Sequence, residues 1–378
     1  AGEKIEEKFD YIILSDLVND LWDVQSVLEQ VYKVCHPNTK IIINSYSKLW
    51  SGALNTTSKL KLSKPTLVQN WLAVEDIENL LEITNFQTLR VWSEFLFPIY
   101  IPILSSLINR YLAKVWPFYY FCLTNFIISR PVNIQLPPSE TKVSVIVAAR
   151  NEEGNIQNIF ETLPKLGDKT ELIFVEGNSQ DNTYQKIEEL IKEYPLQEVK
   201  LYKQTGKGKG DAVRVGFEVA TGDILMILDA DLTVSPDDLI KFYELLISNK
   251  AEFVNGVRLV YPMEKKAMRF FNLVGNKFFS LAFSWLLGQS IKDTLCGTKV
   301  LSKKHYEEIA KNRNYFGDFD PFGDFDLIFG AAKLNLKIMD MPVRYRERVY
   351  GETNIQRWRH GIILLRMVIF AARKIKFF

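Results

Sequence analysis

Ile224-Leu225-Met226-Ile227-Leu228-Asp229-Ala230-Asp231 is the stretch on which the fold turns. The unbroken apolar run reads as a buried strand, and the two carboxylates close it at the end where open α/β sheets take their ligands. Acids one residue apart have no packing reason to stand there. They suit a hard divalent cation that must also hold phosphate oxygens.

Outward from that strand the pattern repeats. Lys142-Val143-Ser144-Val145-Ile146-Val147 is an apolar strand ending in Ala148-Ala149-Arg150-Asn151-Glu152-Glu153-Gly154-Asn155-Ile156, where a helix begins. Residues 171–175 form the next strand, which runs into Glu176-Gly177-Asn178-Ser179-Gln180-Asp181-Asn182-Thr183 and a helix over 184–194. This is a βαβ unit with polar strand ends. Gly206-Lys207-Gly208-Lys209-Gly210-Asp211 then opens a helix that runs to 220, and Thr221-Gly222-Asp223 turns the chain into the strand that delivers Asp229 and Asp231. Glycines around Lys207 and Lys209 let backbone approach a phosphate, and a solvated basic turn would look the same. No Gly-Lys-Ser/Thr follows four spacer residues, which argues against a P-loop kinase or ATPase.

Residues 141–360 resemble the GT-A fold, family 2 glycosyltransferases, and among them the polyprenyl-phosphate branch typified by dolichyl-phosphate-mannose synthase. Several motifs in the right order carry the likeness. The resemblance implies a nucleotide-sugar donor, UDP- or GDP-linked, and a divalent metal, Mg²⁺ or Mn²⁺. Residue by residue, it places Arg150, Asn151, Glu152, Glu176 and Asp181 around the donor's nucleoside, and Asp229 and Asp231 on the metal and diphosphate. Lys209 and Asp211 fall on the donor side too, where Asp211 and Arg214 either position donor groups or pair. Where the family commonly has two adjacent acids, Glu176-Gly177 has one, so that loop identifies neither base nor sugar; Glu176 also fits a helix-capping network.

Further along, Ile291-Lys292-Asp293-Thr294-Leu295-Cys296-Gly297-Thr298-Lys299 resembles the family's acceptor-side segment, and Phe322-Gly323-Asp324-Phe325-Asp326 stands where an acid-bearing motif precedes a helix. Asp324 and Asp326 are the base candidates for an inverting transfer, Asp324 first, with helix capping as the other role open to them. A phosphate acceptor is already an anion and needs little or no base. After a strand at 337–343, Arg348, Gly351 and Thr353 match the arginine-bearing flap that the family closes over the diphosphate; guanidinium forks suit phosphate oxygens.

Composition sets the outer bounds. The 378 residues are 47% hydrophobic, enough for buried cores, and 47 Lys plus Arg against 45 Asp plus Glu argues against a nucleic-acid binder. Cys35, Cys122 and Cys296 lie far apart without metal-ligand spacing and read as reduced thiols. No signal peptide opens the chain, and its start at Ala1 reads as the middle of a longer polypeptide. Residues 95–128 and 270–287 are apolar, but prolines and charges interrupt the first, and Asn272, Asn276 and Lys277 the second, so both read as interfacial or core segments.

Ahead of a linker at 131–140, residues 1–130 alternate strand and helix: a strand at 9–14, a helix at 24–34, a Pro37-Asn38 turn, a strand at 40–45, a helix at 74–83 and a strand at 87–92. That alternation predicts a parallel sheet. Residues 8–130 resemble the C-terminal half of a class I S-adenosylmethionine-dependent methyltransferase, a partial Rossmann-like domain. The glycine-rich loop such enzymes use for their cofactor has no counterpart, so no S-adenosylmethionine is expected. At the far end, residues 355–378 mix Arg357, Arg359, Arg366, Arg373, Lys374 and Lys376 with Trp358, Ile362, Leu364, Leu365, Ile369 and Phe370, a helix suited to an anionic membrane or to a protein partner.

The expectation is thus an α/β protein: an incomplete methyltransferase-like domain (1–130), a GT-A glycosyltransferase domain (141–354) and a basic amphipathic helix (355–378). It would act on a polyprenyl phosphate or another membrane-associated acceptor, peripheral at the cytoplasmic face. The alternatives are a catalytically idle module that binds nucleotide or membrane, and a remnant methyltransferase activity.

Overall fold

The computed structural model describes residues 7–60, 70–132, 140–261, 270–313, 323, 325–350 and 357–377, with the side chains of 270–274 and 357–360 outside that description. The chain divides into two compact units, Ala1–Pro137 with Ile375–Phe378, and Pro138–Lys374.

In the N-terminal unit, β1 (Phe9–Leu14), α1 (Val24–Lys33), β2 (Cys35–Tyr46), α2 (Ser51–Lys59), α3 (Val74–Ile83), β3 (Phe86–Glu94), α4 (Leu104–Arg110) and β4 (Thr124–Pro131) follow in order. The Asp23 carboxylate caps α1 by accepting from the Ser26 amide at 3.0 Å. Leu28 of α1 and Ile77 and Leu81 of α3 pack with Ile41, Ile43 and Ile127 of the sheet to form the core. The strands lie in the order β1-β2-β4-β3. This corrects the expected parallel sheet: only β1 and β2 run parallel, and β4 is antiparallel to both its neighbours. Pro37-Asn38 is no turn either, because both residues lie within β2, opposite the register shift of β1.

The C-terminal unit holds β5 (Lys142–Ala149), α5 (Glu153–Thr162), β6 (Lys169–Glu176), α6 (Thr183–Glu193), β7 (Glu198–Lys203), α7 (Lys209–Val219), β8 (Ile224–Ile227), α8 (Leu239–Ile247), β9 (Phe253–Val257), α9 (Phe270–Leu287), β10 (Lys299–Ser302), α10 (Lys303–Lys311), α11 (Phe325–Lys333), β11 (Ile338–Pro342) and α12 (Arg357–Ala371). Its sheet has the order β11-β9-β10-β8-β5-β6-β7 and is mostly parallel, as expected; β10 alone runs against its neighbours. Val145, Ile146, Phe174, Leu225 and Met226 are buried on both faces, the reason these strands read as unbroken apolar runs. Helix α7 reaches the sheet through Gly216, whose missing side chain admits Ile146.

Parallel pairing aligns the carboxyl ends. Ala149 stands level with Glu176 across β5 and β6, and Ile146 with Ile227 across β5 and β8. The loops carrying Arg150–Glu152, Glu176–Asp181 and Asp229–Asp231 therefore emerge at one edge.

Candidate active site

Asp231 is the centre of that edge. Its Oδ1 accepts from the Thr233 hydroxyl at 2.8 Å and the Thr233 amide at 3.2 Å, which fixes the turn after β8. Its Oδ2 accepts from Arg348 Nη2 at 2.6 Å. Arg348 comes from the segment after β11, which a bond from the Arg346 amide to the Thr233 carbonyl, 2.9 Å, lays across the turn. The same guanidinium reaches Glu152 Oε1 through Nη1 at 3.4 Å. Glu152, only 7% exposed, is also held by Asn155 Nδ2 at 2.7 Å. Burial pushes its carboxyl up to about 7 against the pull of Arg348 and Asn155, and the neighbouring Asp231 and Asp229 add to the rise.

Asp229 is matched with Lys209, whose ammonium donates to Oδ1. Burial works against its ionisation, but Lys209, with Lys299 and Arg258 behind it, holds the carboxyl below its ordinary value. Gly297 backs onto this pair: a Cβ there would fall on Lys209 Nζ and the Asp229 oxygens. Behind it, Arg258 grips the fully buried Asp293 through two bonds of 2.7 and 2.9 Å, while Asn276 Nδ2 adds a third at 2.8 Å. Burial opposes ionisation of Asp293, and Arg258 overcomes it, bringing the carboxyl to about 2.

The remaining candidates surround this pair. Asn151, at φ 56°, accepts the Gln180 amide on Oδ1 at 2.7 Å and donates its own amide to Ser179 Oγ at 3.0 Å, tying the two loops together. Arg150 is exposed beside them. Glu176 Oε1 accepts the Ser179 amide within its own loop, a local turn-capping contact. Asp181 accepts from the Thr183 and Glu153 amides at 3.1 and 3.3 Å and from the Tyr350 hydroxyl at 3.4 Å. Tyr350 lies on Gly154, where a Cβ would meet its ring at 2.5 Å. Asp211 closes the glycine loop on itself, taking the Gly206 amide at 3.0 Å. Gly208 adopts φ 86°, a left-handed geometry that glycine alone reaches without strain, and lets α7 start at Lys209.

Asp326 does not stand free as a base candidate would. It is 6% exposed, bonded to Arg313 Nε at 2.9 Å and 3.4 Å from Arg214 Nη2, so Arg214 pairs with Asp326. Asp324 and Thr353 lie outside the described residues. Asn155, Thr233 and Tyr350 enter the site without having been singled out in the sequence: each supports another group, and only their short offsets from Glu152, Asp231 and Arg348 hinted at them; Gly297 lies in the motif read as acceptor-side and instead backs the Lys209–Asp229 pair.

A mostly parallel α/β sheet with acids and cations converging at its carboxyl edge defines a ligand-binding α/β protein of the open-sheet class. Residues 144–310 match the model of the family described as Glycosyl transferase family 2. The chain is 30% identical over 235 residues to UDP-N-acetylglucosamine--dolichyl-phosphate N-acetylglucosaminyltransferase of Methanococcus voltae, covering 58% of this chain and 91% of the relative. It is 28% identical over 220 residues to dolichol-phosphate mannosyltransferase of Pyrococcus furiosus, covering 57% of this chain but 59% of that longer relative. Among solved structures, a mannosyltransferase from Pyrobaculum calidifontis matches with a TM-score of 0.43 at 21% identity, covering 64% of this chain and 68% of the other. The chain belongs to glycosyl transferase family 2.

Proposed function

We propose that the chain transfers a sugar, with inversion, from a nucleoside-diphosphate donor to a polyprenyl phosphate at a membrane surface. The observation that carries this reading is the pairing of the two acids after β8 with two protein cations, Asp229 with Lys209 and Asp231 with Arg348. Such an arrangement has a surplus of hard oxygen donors and long cationic side chains able to move onto a second anion. Its donor chemistry fits a divalent ion, for which Asp229 and Asp231 would be the ligands. When bound, that ion would screen the diphosphate as it leaves.

On this reading the protein's own residues divide the work. Asn151, Glu176 and Asp181 frame the nucleoside side, Lys209 and the amide end of α7 meet phosphate, and Arg348 moves from Asp231 to the diphosphate. In the transfer, the bond from the anomeric carbon to the diphosphate oxygen breaks with its electron pair going to the leaving group. The acceptor oxygen forms its bond from the opposite face. A phosphate oxygen carries no proton to remove, so Asp326, held by Arg313 and Arg214, can remain structural. The relatives named for dolichyl phosphate support the same acceptor class.

The surface of the C-terminal unit agrees with an acceptor in a bilayer. Phe278, Leu281 and Trp285 of α9 are exposed at one-turn and two-turn spacing, as are Ile362, Leu365 and Ile369 of α12. Among the described residues, no helix is long and apolar enough to cross a membrane. The cytoplasmic leaflet is the expected face, reached peripherally.

The test is calorimetric titration of UDP-glucose, GDP-mannose and UDP-N-acetylglucosamine, each with and without Mn²⁺, against the native chain and Asp231→Ala. Binding that needs both the ion and Asp231 identifies the donor. Absence of binding by every donor rejects the transferase reading in favour of an idle module.

A further inference from the structure

Residues 95–121 of the N-terminal unit present an apolar outer surface. Ile99 is 64% exposed, Tyr100 84%, Ile103 77%, Leu107 52%, Trp116 70% and Tyr120 57%. This is no slack loop. Asn109 staples it, donating Nδ2 to the Phe97 carbonyl and accepting the Phe97 amide, both at 2.8 Å. Ser105 Oγ donates to the Ile101 carbonyl at 2.7 Å, the Trp50 indole to the Phe121 carbonyl at 2.9 Å, and Lys114 pairs with Glu94. The inner side is well packed, with Ala113 and Cys122 almost fully buried. The fold therefore spends specific hydrogen bonds on holding large apolar side chains outward, in contrast to a monomer's usual practice of scattering them singly.

We propose that this face inserts into the headgroup region of an anionic bilayer. Charge selects that occupant: from residue 95 through residue 139 the sequence has no Asp or Glu, and Arg110 is exposed inside the segment, while the mostly buried Lys114 is matched by Glu94. Lys48 and the 68%-exposed Leu49 adjoin Trp50 at its edge. Aromatic side chains with a polar tip, Tyr100, Trp116 and Tyr120, mixed with Ile and Leu and rimmed by cations, match the depth profile of a membrane interface. Short helices broken by Pro98, Pro102 and Pro117 suit lying in that plane. The inference concerns the N-terminal unit and stands whether or not the transferase reading holds.

The test uses the full chain and vesicles of equal parts phosphatidylcholine and phosphatidylglycerol. Co-sedimentation is expected for the native protein, and the triple substitution Tyr100→Ser, Ile103→Ser and Trp116→Ser should weaken partitioning by about tenfold or more. Leu365→Ser on α12 serves as the comparison for binding by the other unit. An environment-sensitive fluorophore on Ile103→Cys, read alongside, keeps the test informative if the triple variant misfolds: its emission should shift to the blue when vesicles are added. Native-like partitioning by a folded triple variant, or no shift at Ile103→Cys while the protein sediments with vesicles, overturns the proposal. So does a shift that follows protein concentration in the absence of lipid, since a second copy would then cover the face.

Discussion

Asp231 shows what a single residue decides here. Asp231→Asn keeps the shape but removes the charge that holds Arg348 and, on the proposed role, a divalent ion, so turnover should fall by about two orders of magnitude or more, read as kcat with whichever donor the titration finds. Glu152 makes a prediction of a different kind. Its folded-state value near 7 lies above that of an unfolded glutamate, so the native state binds the extra proton. The associated stability is complete below the unfolded value near 4.5 and is lost as pH rises through about 7, by up to about 3 kcal/mol. Glu152→Gln should flatten the melting temperature of the C-terminal unit across that window, and an unchanged slope would assign it to other groups. Of these residues the sequence made Asp229 and Asp231 legible, because an unbroken apolar run announces its own end. The burial of Glu152 was not legible: it depends on Asn155 and Arg348, and Arg348 lies 196 positions away.

At the scale of elements, α7 packs tightly against β5. Alanine at Gly216 would place a Cβ 2.5 Å from Ile146 Cγ2, and overpacking of this kind costs about 1–3 kcal/mol. Gly216→Ala should lower the thermal midpoint while leaving donor affinity per folded molecule intact. Gly297→Ala should do the reverse, because its Cβ would fall on the Lys209–Asp229 pair; thermal denaturation and donor titration together separate the two. The strands at 142–147, 171–175 and 224–228 were readable from local apolar runs. The antiparallel placement of β4 and β10 was not, since register across a sheet is set by partners distant in sequence. In β4 the signal was further blurred by the proline-broken stretch before it and by Pro131, which sits at the strand's end where a missing amide is tolerated.

For the whole molecule, each unit has a core of its own, Val145, Phe174 and Met226 among others in one, and Leu28, Ile41 and Ile77 in the other. Scanning calorimetry should show two transitions, and donor with Mn²⁺ should raise only that of the C-terminal unit, since a ligand stabilises the unit that binds it. Acid should reach the C-terminal unit through its buried carboxylates. Glu171, held by Lys200, Ser144 and Thr221 against its burial, and Asp293 both sit near 2, so the stability they contribute is present above about pH 4 and is lost as pH falls towards 2. The paired cations on Asp229 and Asp231 have a thermodynamic corollary. If Asp229 and Asp231 take the metal as proposed, a metal arriving alone competes with Lys209 and Arg348 for these carboxylates, whereas a metal arriving with a diphosphate offers both cations a new anion. Metal and donor would then be linked ligands: whatever factor one adds to the affinity of the other must be returned in full, and either one measured by itself should look like a weak binder.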